Sequence, residues 1–167
     1  MSILGLTIDY GPYGWVDNYD PNWTPNTTDA ARRRYCYANQ AAIALWNLLQ
    51  LANALYPVVD DAKPLEEALA EYQDGYNTEI SKVYREKLGL KESRGDEDNA
   101  LYQELERLMQ RKETDMTILF RRLADVPISE EPSSSDPLEP LREAFYAHVP
   151  AALEEEWVTW LNRYKER

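Results

Sequence analysis

The chain has 167 residues, of which 44% are hydrophobic, and this is enough to bury the core of one compact domain. Its 18 Lys and Arg residues against 30 Asp and Glu give a net charge of −12. Such a surface repels phosphate backbones and anionic lipid headgroups, so we expect neither nucleic acid nor membrane among its partners. The single cysteine, Cys36, excludes an intramolecular disulfide and a cysteine-based zinc site within the chain.

Two short β-prone runs lie on either side of Gly5 and predict an N-terminal β-hairpin. The second run ends at Asp9, which the turn-forming Tyr10-Gly11-Pro12 follows. Protein kinases end their metal-binding hairpin with the same order of strand, Asp and Gly, and that Asp holds the magnesium of bound ATP. Asp9 is therefore a candidate metal ligand that would reach the ATP phosphates through Mg²⁺. The alternative interpretation is an aspartate that only caps the turn.

Glycine, proline, asparagine and threonine residues make residues 11–30 a predicted loop, which corresponds to the activation segment of a kinase. The aromatic residues in this loop and directly before it either pin the loop onto the domain or form a docking surface for a protein substrate. They are Tyr10, Tyr13, Trp15, Tyr19 and Trp23. Asp17 and Asp20 fit a solvated loop, and we assign them no metal or acid–base role.

A cationic run, Arg32-Arg33-Arg34, stands out in this acidic chain. It fits either a salt-bridging surface near a helix start or a contact with phosphate or an acidic partner. Cys36 follows between two tyrosines, and we expect a packed or half-buried thiol there rather than a nucleophile.

The first predicted helix covers residues 39–56 and ends at Pro57, because proline disfavours helical geometry in the residue before it. It is apolar over well over half of its circumference, which is typical of a central core helix. We find no apolar run of 18 residues and no basic-then-apolar leader, and we expect a cytoplasmic protein from a reducing compartment.

Apolar residues at three- and four-residue spacing predict a second helix from Pro64 to Leu88, closed by a left-handed Gly89. The third helix covers residues 97–111, with Leu101, Leu105, Leu108 and Met109 facing inward. Thr114 or Asp115 offers an N-cap for a short helix through Leu123.

Residues 127–137 read as an exposed acidic linker. Asp136-Pro137 then caps a penultimate helix, in which we place the lone His148 as a surface or core-edge residue. Pro150 opens the last helix, whose apolar stripe is Leu153, Trp157, Trp160, Leu161 and Tyr164. The predicted fold class is mainly α with one short β-hairpin. Within one compact domain we expect a hairpin and loop (1–30), a helical core (31–126) and a linker with a C-terminal helical pair (127–167).

The run from Ser2 to Asp20, SILGLTIDYGPYGWVDNYD, resembles the selenoprotein O family, as does the later ALWNL at residues 44–48. The resemblance implies a kinase-like fold, whose larger lobe this chain would supply in part. It also implies an enzyme that uses Mg²⁺ and ATP to transfer AMP to protein hydroxyl groups. In the family the catalytic base and a second metal ligand, an Asn, come just before the position of Met1.

The chain is thus interpreted as a fragment of a protein adenylyltransferase that begins at the Asp-Tyr-Gly hairpin. By itself it is expected to be inactive, to bind neither Mg²⁺ nor ATP strongly, and to self-associate through exposed apolar surface. The alternative is a stand-alone helical module that binds other proteins and has no catalytic activity.

Overall fold

The computed structural model describes residues 14–26, 28, 31–127 and 136–167. This part of the chain forms the α-helices α1 (Gln40–Val59), α2 (Lys63–Lys87), α3 (Asp96–Arg111), α4 (Met116–Arg122) and α5 (Ala151–Lys165). Short 3-10 segments cover Tyr37–Asn39, Leu123–Asp125 and Glu139–Ala144. The mainly α class is confirmed. The predicted hairpin, with Asp9, lies outside the described residues.

Backbone contacts group the chain into two units. Within the described residues, the first unit holds residues 14–15 and 20–79, with α1 and most of α2. The second holds Val16–Tyr19 together with Ile80–Arg167. The segment boundaries expected from sequence, at residues 30 and 126, remain a prediction.

The core of the second unit confirms the predicted stripes of α3 and α5. Leu101, Leu105, Leu108 and Met109 of α3 are all buried, and α3 packs against α5. From α5 the core receives Leu153, Trp157, Trp160 and Leu161. Both helices carry charged residues on the opposite side, so the three- and four-residue spacing identified the buried face.

Two predicted helix ends of the second unit are confirmed by their hydrogen bonds. Gly89 adopts φ +69° after α2, the Leu90 amide donates to the Arg85 carbonyl at 3.0 Å, and the Gly89 amide donates to the Glu86 carbonyl at 3.0 Å. This is a Schellman motif, in which a left-handed residue satisfies the last carbonyls of a helix. The Asp115 carboxylate caps α4 by accepting from the Ile118 amide at 2.8 Å.

The predicted end of the first helix at Pro57 is wrong, because α1 continues through Pro57 to Val59. A proline in a last turn removes only the bond to the carbonyl four residues back, here Asn53. Asp60 then closes the helix in a left-handed conformation, and its amide donates to the Tyr56 carbonyl at 2.8 Å. The terminal cap therefore outweighs the local preference of the residue before proline.

The prediction that this first helix is a buried core helix is also wrong for the described structure, in which Ile43 is its only buried residue. By length and composition alone, the stretch Tyr37–Val59 could cross a membrane, with a mean hydropathy of 1.4. This corrects the expectation that no such segment exists, although apolar helices of soluble proteins satisfy the same criterion. An apolar surface was predicted correctly, but its burial was not.

His148 also lies elsewhere than predicted. It follows the 3-10 segment Glu139–Ala144 in a non-helical stretch and is exposed. Leu138 and Leu141 of that segment are buried as expected, and Asp136 accepts from the Leu138 amide at 3.0 Å. Proline at its second position fits a short 3-10 turn, and the next residues up to Pro150 are not helical.

Candidate functional site

The site predicted around Asp9 lies outside the described residues, but the loop that leaves it is described from Gly14 onward. Within the second unit, Val16–Tyr19 lies beside residues 113–116. The Tyr19 amide donates to the Thr114 carbonyl at 3.1 Å, and the Met116 amide donates to the Asp17 carbonyl at 2.9 Å. The Thr114 amide donates to Oδ1 of Asn18 at 3.0 Å. Three hydrogen bonds thus fix the loop eight to ten residues after the candidate metal ligand.

Residues 113–116 are in turn held from a second side. The Asp115 amide donates to the Ala144 carbonyl at 2.7 Å, and the Tyr146 amide donates to the Glu113 carbonyl at 3.3 Å. Thr114 is fully buried, and its hydroxyl donates to the Lys112 carbonyl at 2.7 Å. The loop therefore rests on a segment whose own backbone is paired, which limits how far that segment can move.

Tyr19 anchors the loop by its side chain as well. The ring is buried in the core of the second unit, and its hydroxyl donates to Oε1 of Glu106 at 2.8 Å. Burial raises the pKa of Glu106 above its ordinary value of 4.5, and the hydrogen bond from Tyr19 lowers it in part. Desolvation has the larger effect on this pKa, because burial removes water from the carboxylate and disfavours its charged form.

This raised pKa predicts a pH dependence of stability. A carboxyl with a raised pKa in the folded state binds more protons there than in the unfolded chain, so folding is favoured at low pH. That contribution is complete below about pH 4.5, the unfolded pKa, and is lost as the pH rises through the folded pKa. The free energy of unfolding is measured with urea across this pH range. The Glu106→Gln variant is expected not to lose stability in this way, because its amide oxygen still accepts from Tyr19 and carries no charge.

The comparison for that measurement is Glu155→Gln, which removes an exposed carboxylate from α5 and leaves the Tyr19 contact intact. It should keep the pH slope of the unmodified chain. A Glu106→Gln variant with the same slope as the unmodified chain would contradict the assignment of that slope to Glu106.

Three acidic residues, Asp17, Glu113 and Asp115, lie where the loop meets residues 113–116. Asp115 accepts from the Tyr146 hydroxyl at 3.2 Å as well as capping α4. The pKa of Tyr146 is raised by desolvation and then by the negative charges of Asp115, Asp17 and Glu113. Among the described residues, no three His, Cys, Asp or Glu side chains form a metal-ligand group. The Asp115 side chain thus makes two contacts, the cap of α4 and the bond from the Tyr146 hydroxyl.

The loop residues that the sequence singled out differ in how far they are buried. Tyr19 is 6% exposed, as expected if the aromatic residues pin the loop onto the domain. Trp15 is 82% exposed and fits the alternative of a docking surface. Asp17 is exposed, and Asp20 accepts from the Asn22 amide at 2.8 Å. Tyr10 and Tyr13 lie outside the described residues.

In the first unit, Arg32 and Arg33 line an open groove of about 460 Å³ together with Asn22, Cys36, Ala38 and Asn39. Arg33 has a left-handed backbone, φ 44°, and its guanidinium donates to the Asn22 carbonyl at 3.1 Å. Cys36 is buried, as the sequence predicted. The interpretation of the arginine run as a phosphate or acidic-partner contact remains a prediction.

Sequence reasoning missed the residues that fix the loop, namely Asn18, Glu106 and Thr114. The Tyr19–Glu106 contact joins residues 87 apart, and the Thr114–Asn18 contact joins residues 96 apart. Local patterns carry no information about such pairs. The one available signal was the aromatic content of the loop, which identified Tyr19.

Comparison with known proteins extends this picture to the whole chain. A family model described as "Protein adenylyltransferase SelO" matches residues 1–167. Three similar curated relatives are each named "Protein nucleotidyltransferase YdiU". The chain is 54% identical over 168 residues to the protein of Aromatoleum aromaticum, 47% over 174 residues to that of Rhodopirellula baltica, and 44% over 169 residues to that of Flavobacterium johnsoniae.

Each of these alignments includes 100% of this chain but only 31% or 32% of the relative. The chain therefore spans about a third of the length of the curated relatives that it matches. The match includes both the Asp9-Tyr10-Gly11 sequence and the helical units. The chain belongs to the SelO family of protein adenylyltransferases.

Proposed function

We propose that this chain supplies part of the catalytic lobe of a cytoplasmic, kinase-like enzyme that transfers AMP from ATP to Ser, Thr or Tyr hydroxyls of other proteins. The observation that carries the proposal is the family match over residues 1–167. The names of the relatives, which describe protein nucleotidyltransferases, support it.

In this proposal Asp9 is the metal ligand of the chain. Its carboxylate is the kind of oxygen donor that Mg²⁺ prefers, and a bound Mg²⁺ would neutralise charge on the ATP phosphates. The anchored residues Val16–Tyr19 would hold the loop that follows Asp9 in a fixed path. Trp15 and the other exposed parts of that loop would then face the protein substrate.

The chain alone is proposed to be inactive. One carboxylate in water binds Mg²⁺ weakly, since the ion dehydrates reluctantly and is normally held by several oxygen ligands. The family resemblance implies that the catalytic base and a second metal ligand belong to a part of the family's polypeptide that this chain does not span. The isolated chain is also proposed to self-associate through its exposed apolar residues.

The test is a full-length chimera in which this chain replaces the aligned segment of the Aromatoleum aromaticum relative. With ATP labelled on the α-phosphate, the chimera is expected to label protein, and with ATP labelled on the γ-phosphate it is not. The isolated chain should transfer neither label. Transfer of the γ label would indicate a kinase instead, and would overturn the proposal.

A helical interaction module without catalysis is the second candidate, favoured by the exposure of Trp15 and of the apolar face of α1. The unmodified relative, assayed beside the chimera, separates the two. If the relative transfers the α label and a folded chimera does not, this chain lacks the catalytic function and the module is the better description.

A further inference from the structure

The charges around the arginine run are distributed unlike those of the whole chain. Between residues 21 and 59 the charged residues are Asp29 and Arg32-Arg33-Arg34, and every other residue of that stretch is neutral. The chain as a whole carries a net charge of −12. The arginines thus outnumber the single acidic residue of their stretch, and they form a local cationic segment that attracts anionic groups at short range.

Arg32 and Arg33 have no carboxylate partner in the part of the chain that the structure describes. Arg32 is exposed and makes no hydrogen bond or ion pair with a described residue. Arg33 donates from its guanidinium to the neutral Asn22 carbonyl at 3.1 Å, and a guanidinium has further N–H groups to donate. A salt-bridging role would require a carboxylate beside each residue, and among the described residues neither has one.

Both side chains lie along the open groove of about 460 Å³ in the first unit, the arginine groove. Two hydrogen bonds tie together the chain segments that form it. The Tyr37 amide donates to the Trp23 carbonyl at 2.9 Å, and the Ala38 amide donates to the Pro21 carbonyl at 2.9 Å. The groove is therefore ordered before a ligand binds, which lowers the entropic cost of binding.

Arg33 has an unusual backbone conformation in this groove. Its φ is 44°, a left-handed value that a residue with a Cβ atom rarely adopts. The Cys36 amide donates to the Arg33 carbonyl at 3.0 Å and stabilises the turn. Disfavoured backbone conformations are concentrated at binding and catalytic sites. Here the turn accompanies a guanidinium that is fixed on Asn22, another residue of the groove.

We infer that the arginine groove binds a carboxylate of the protein substrate, an Asp or Glu side chain close to the hydroxyl that receives AMP. Asn22 of the groove belongs to the loop 11–30, which faces the protein substrate in the proposed function. An arginine guanidinium presents two parallel N–H groups that match the two oxygens of a carboxylate. The inference rests on the proposed function, because it names a feature of the protein that receives AMP.

The backbone of the groove favours a carboxylate over a phosphate. Phosphate sites commonly add backbone N–H groups to the basic side chains, in a turn or at a helix N-terminus. In the arginine groove the successive amides of residues 36–39 already donate to backbone carbonyls. These amides are not available to a phosphate, whereas a carboxylate needs only the two guanidinium groups.

The first measurement is the steady-state kinetics of AMP transfer by the full-length chimera with α-labelled ATP. Its substrates are two synthetic peptides with a Ser-Thr-Tyr acceptor, flanked by glutamates in one and by glutamines in the other. We expect the KM of the glutamate peptide to be lower by about tenfold or more. Arg32→Gln and Arg33→Gln should each raise that KM by about tenfold and leave kcat unchanged, because the contact is the same before and during the transfer.

Two further variants serve as controls. Arg121→Gln removes the same charge from an exposed position of α4 and should change the KM of neither peptide. Arg32→Lys keeps the charge but loses the planar pair of donors, so it should recover only part of the preference for glutamate. Arg32→Gln should keep the melting temperature of the unmodified chimera, since Arg32 is exposed.

Binding of the fluorescently labelled glutamate peptide without ATP separates this inference from the proposed function. Anisotropy should show about tenfold weaker binding to Arg32→Gln than to the unmodified chimera. If the chimera binds the peptide in this way but transfers no AMP, the carboxylate groove stands and the proposed function fails. If the chimera transfers AMP to both peptides with equal KM, the proposed function stands and the inference is overturned.

Two other results would also overturn the inference. The first is tighter binding, dependent on Arg32, of a peptide that has phosphoserine in place of the glutamates, which would make a phosphate the ligand. The second is a loss of kcat in Arg32→Gln with the KM of both peptides unchanged, which would place Arg32 in the chemical step.

Discussion

Replacing Trp160 with alanine is expected to lower the free energy of unfolding of the second unit by about 3–5 kcal/mol. Trp160 is fully buried in α5, stacks on Tyr164 with ring centres 5.3 Å apart, and meets Trp157 edge to face at 6.2 Å. Its indole N–H donates to the Leu101 carbonyl of α3 at 2.9 Å. The substitution removes this packing and the hydrogen bond together. Urea unfolding followed by circular dichroism measures the loss.

The two tryptophans of α5 supply a matched control. Trp157 is equally buried, but its indole nitrogen has no hydrogen-bond partner among the described residues. Trp157→Phe therefore removes an unsatisfied polar group, whereas Trp160→Phe removes a satisfied one. We expect Trp160→Phe to be the more destabilising of the two by about 1 kcal/mol. Equal losses would show that volume alone decides stability at both positions.

The second unit was predictable because its helices have one apolar face and one charged face. In α3, the three- and four-residue spacing of Leu101, Leu105 and Leu108 places them on one face and predicts that this face is buried. The structure buries all three. The ends of these helices were predictable for a similar reason. Gly89 tolerates a positive φ, which suits the residue just after a helix. Asp115 has a short carboxylate, which suits the residue just before one.

Helix α1 shows where the same reasoning fails. Periodicity reports how much of a helix surface is apolar, but it does not report whether the covering atoms belong to the chain at hand. Leu49 and Tyr56 would be buried in a helix packed on all sides, yet they are exposed in this structure. The prediction was right about the apolar residues and wrong about their burial, which the periodicity of one helix does not determine.

The candidate site was predictable only as far as local sequence reaches. Asp9 was predicted from the order of a β-prone run, a carboxylate and a glycine, which is a property of consecutive residues, and its role as a ligand stays a prediction. The loop after it is held by Thr114 and Glu106, which are distant in sequence and whose contacts with the loop were not predicted. Pairs of this kind are set by the packing of the second unit, and a single sequence leaves them undetermined.

The largest functional effect is expected at Asp9. In the full-length chimera, Asp9→Asn should reduce the transfer of α-labelled AMP by about 10²-fold or more, because the amide cannot hold Mg²⁺ against the ATP phosphates as a carboxylate does. The measurement is the initial rate of protein labelling at saturating ATP. A partial recovery at high Mg²⁺ concentration is expected, since a weakened site fills more as the ion becomes more abundant.

Asparagine is the informative replacement because it distinguishes the two interpretations of Asp9. Asn caps turns as well as Asp does, so a residue that only shapes the Tyr10-Gly11-Pro12 turn would tolerate the change. Asp17→Asn makes the same substitution at an exposed position whose backbone carbonyl, not its side chain, holds the loop. That variant should keep its activity. If Asp9→Asn also keeps it while Asp9→Ala lowers the melting temperature, Asp9 is a turn cap and the metal ligand must lie elsewhere in the protein.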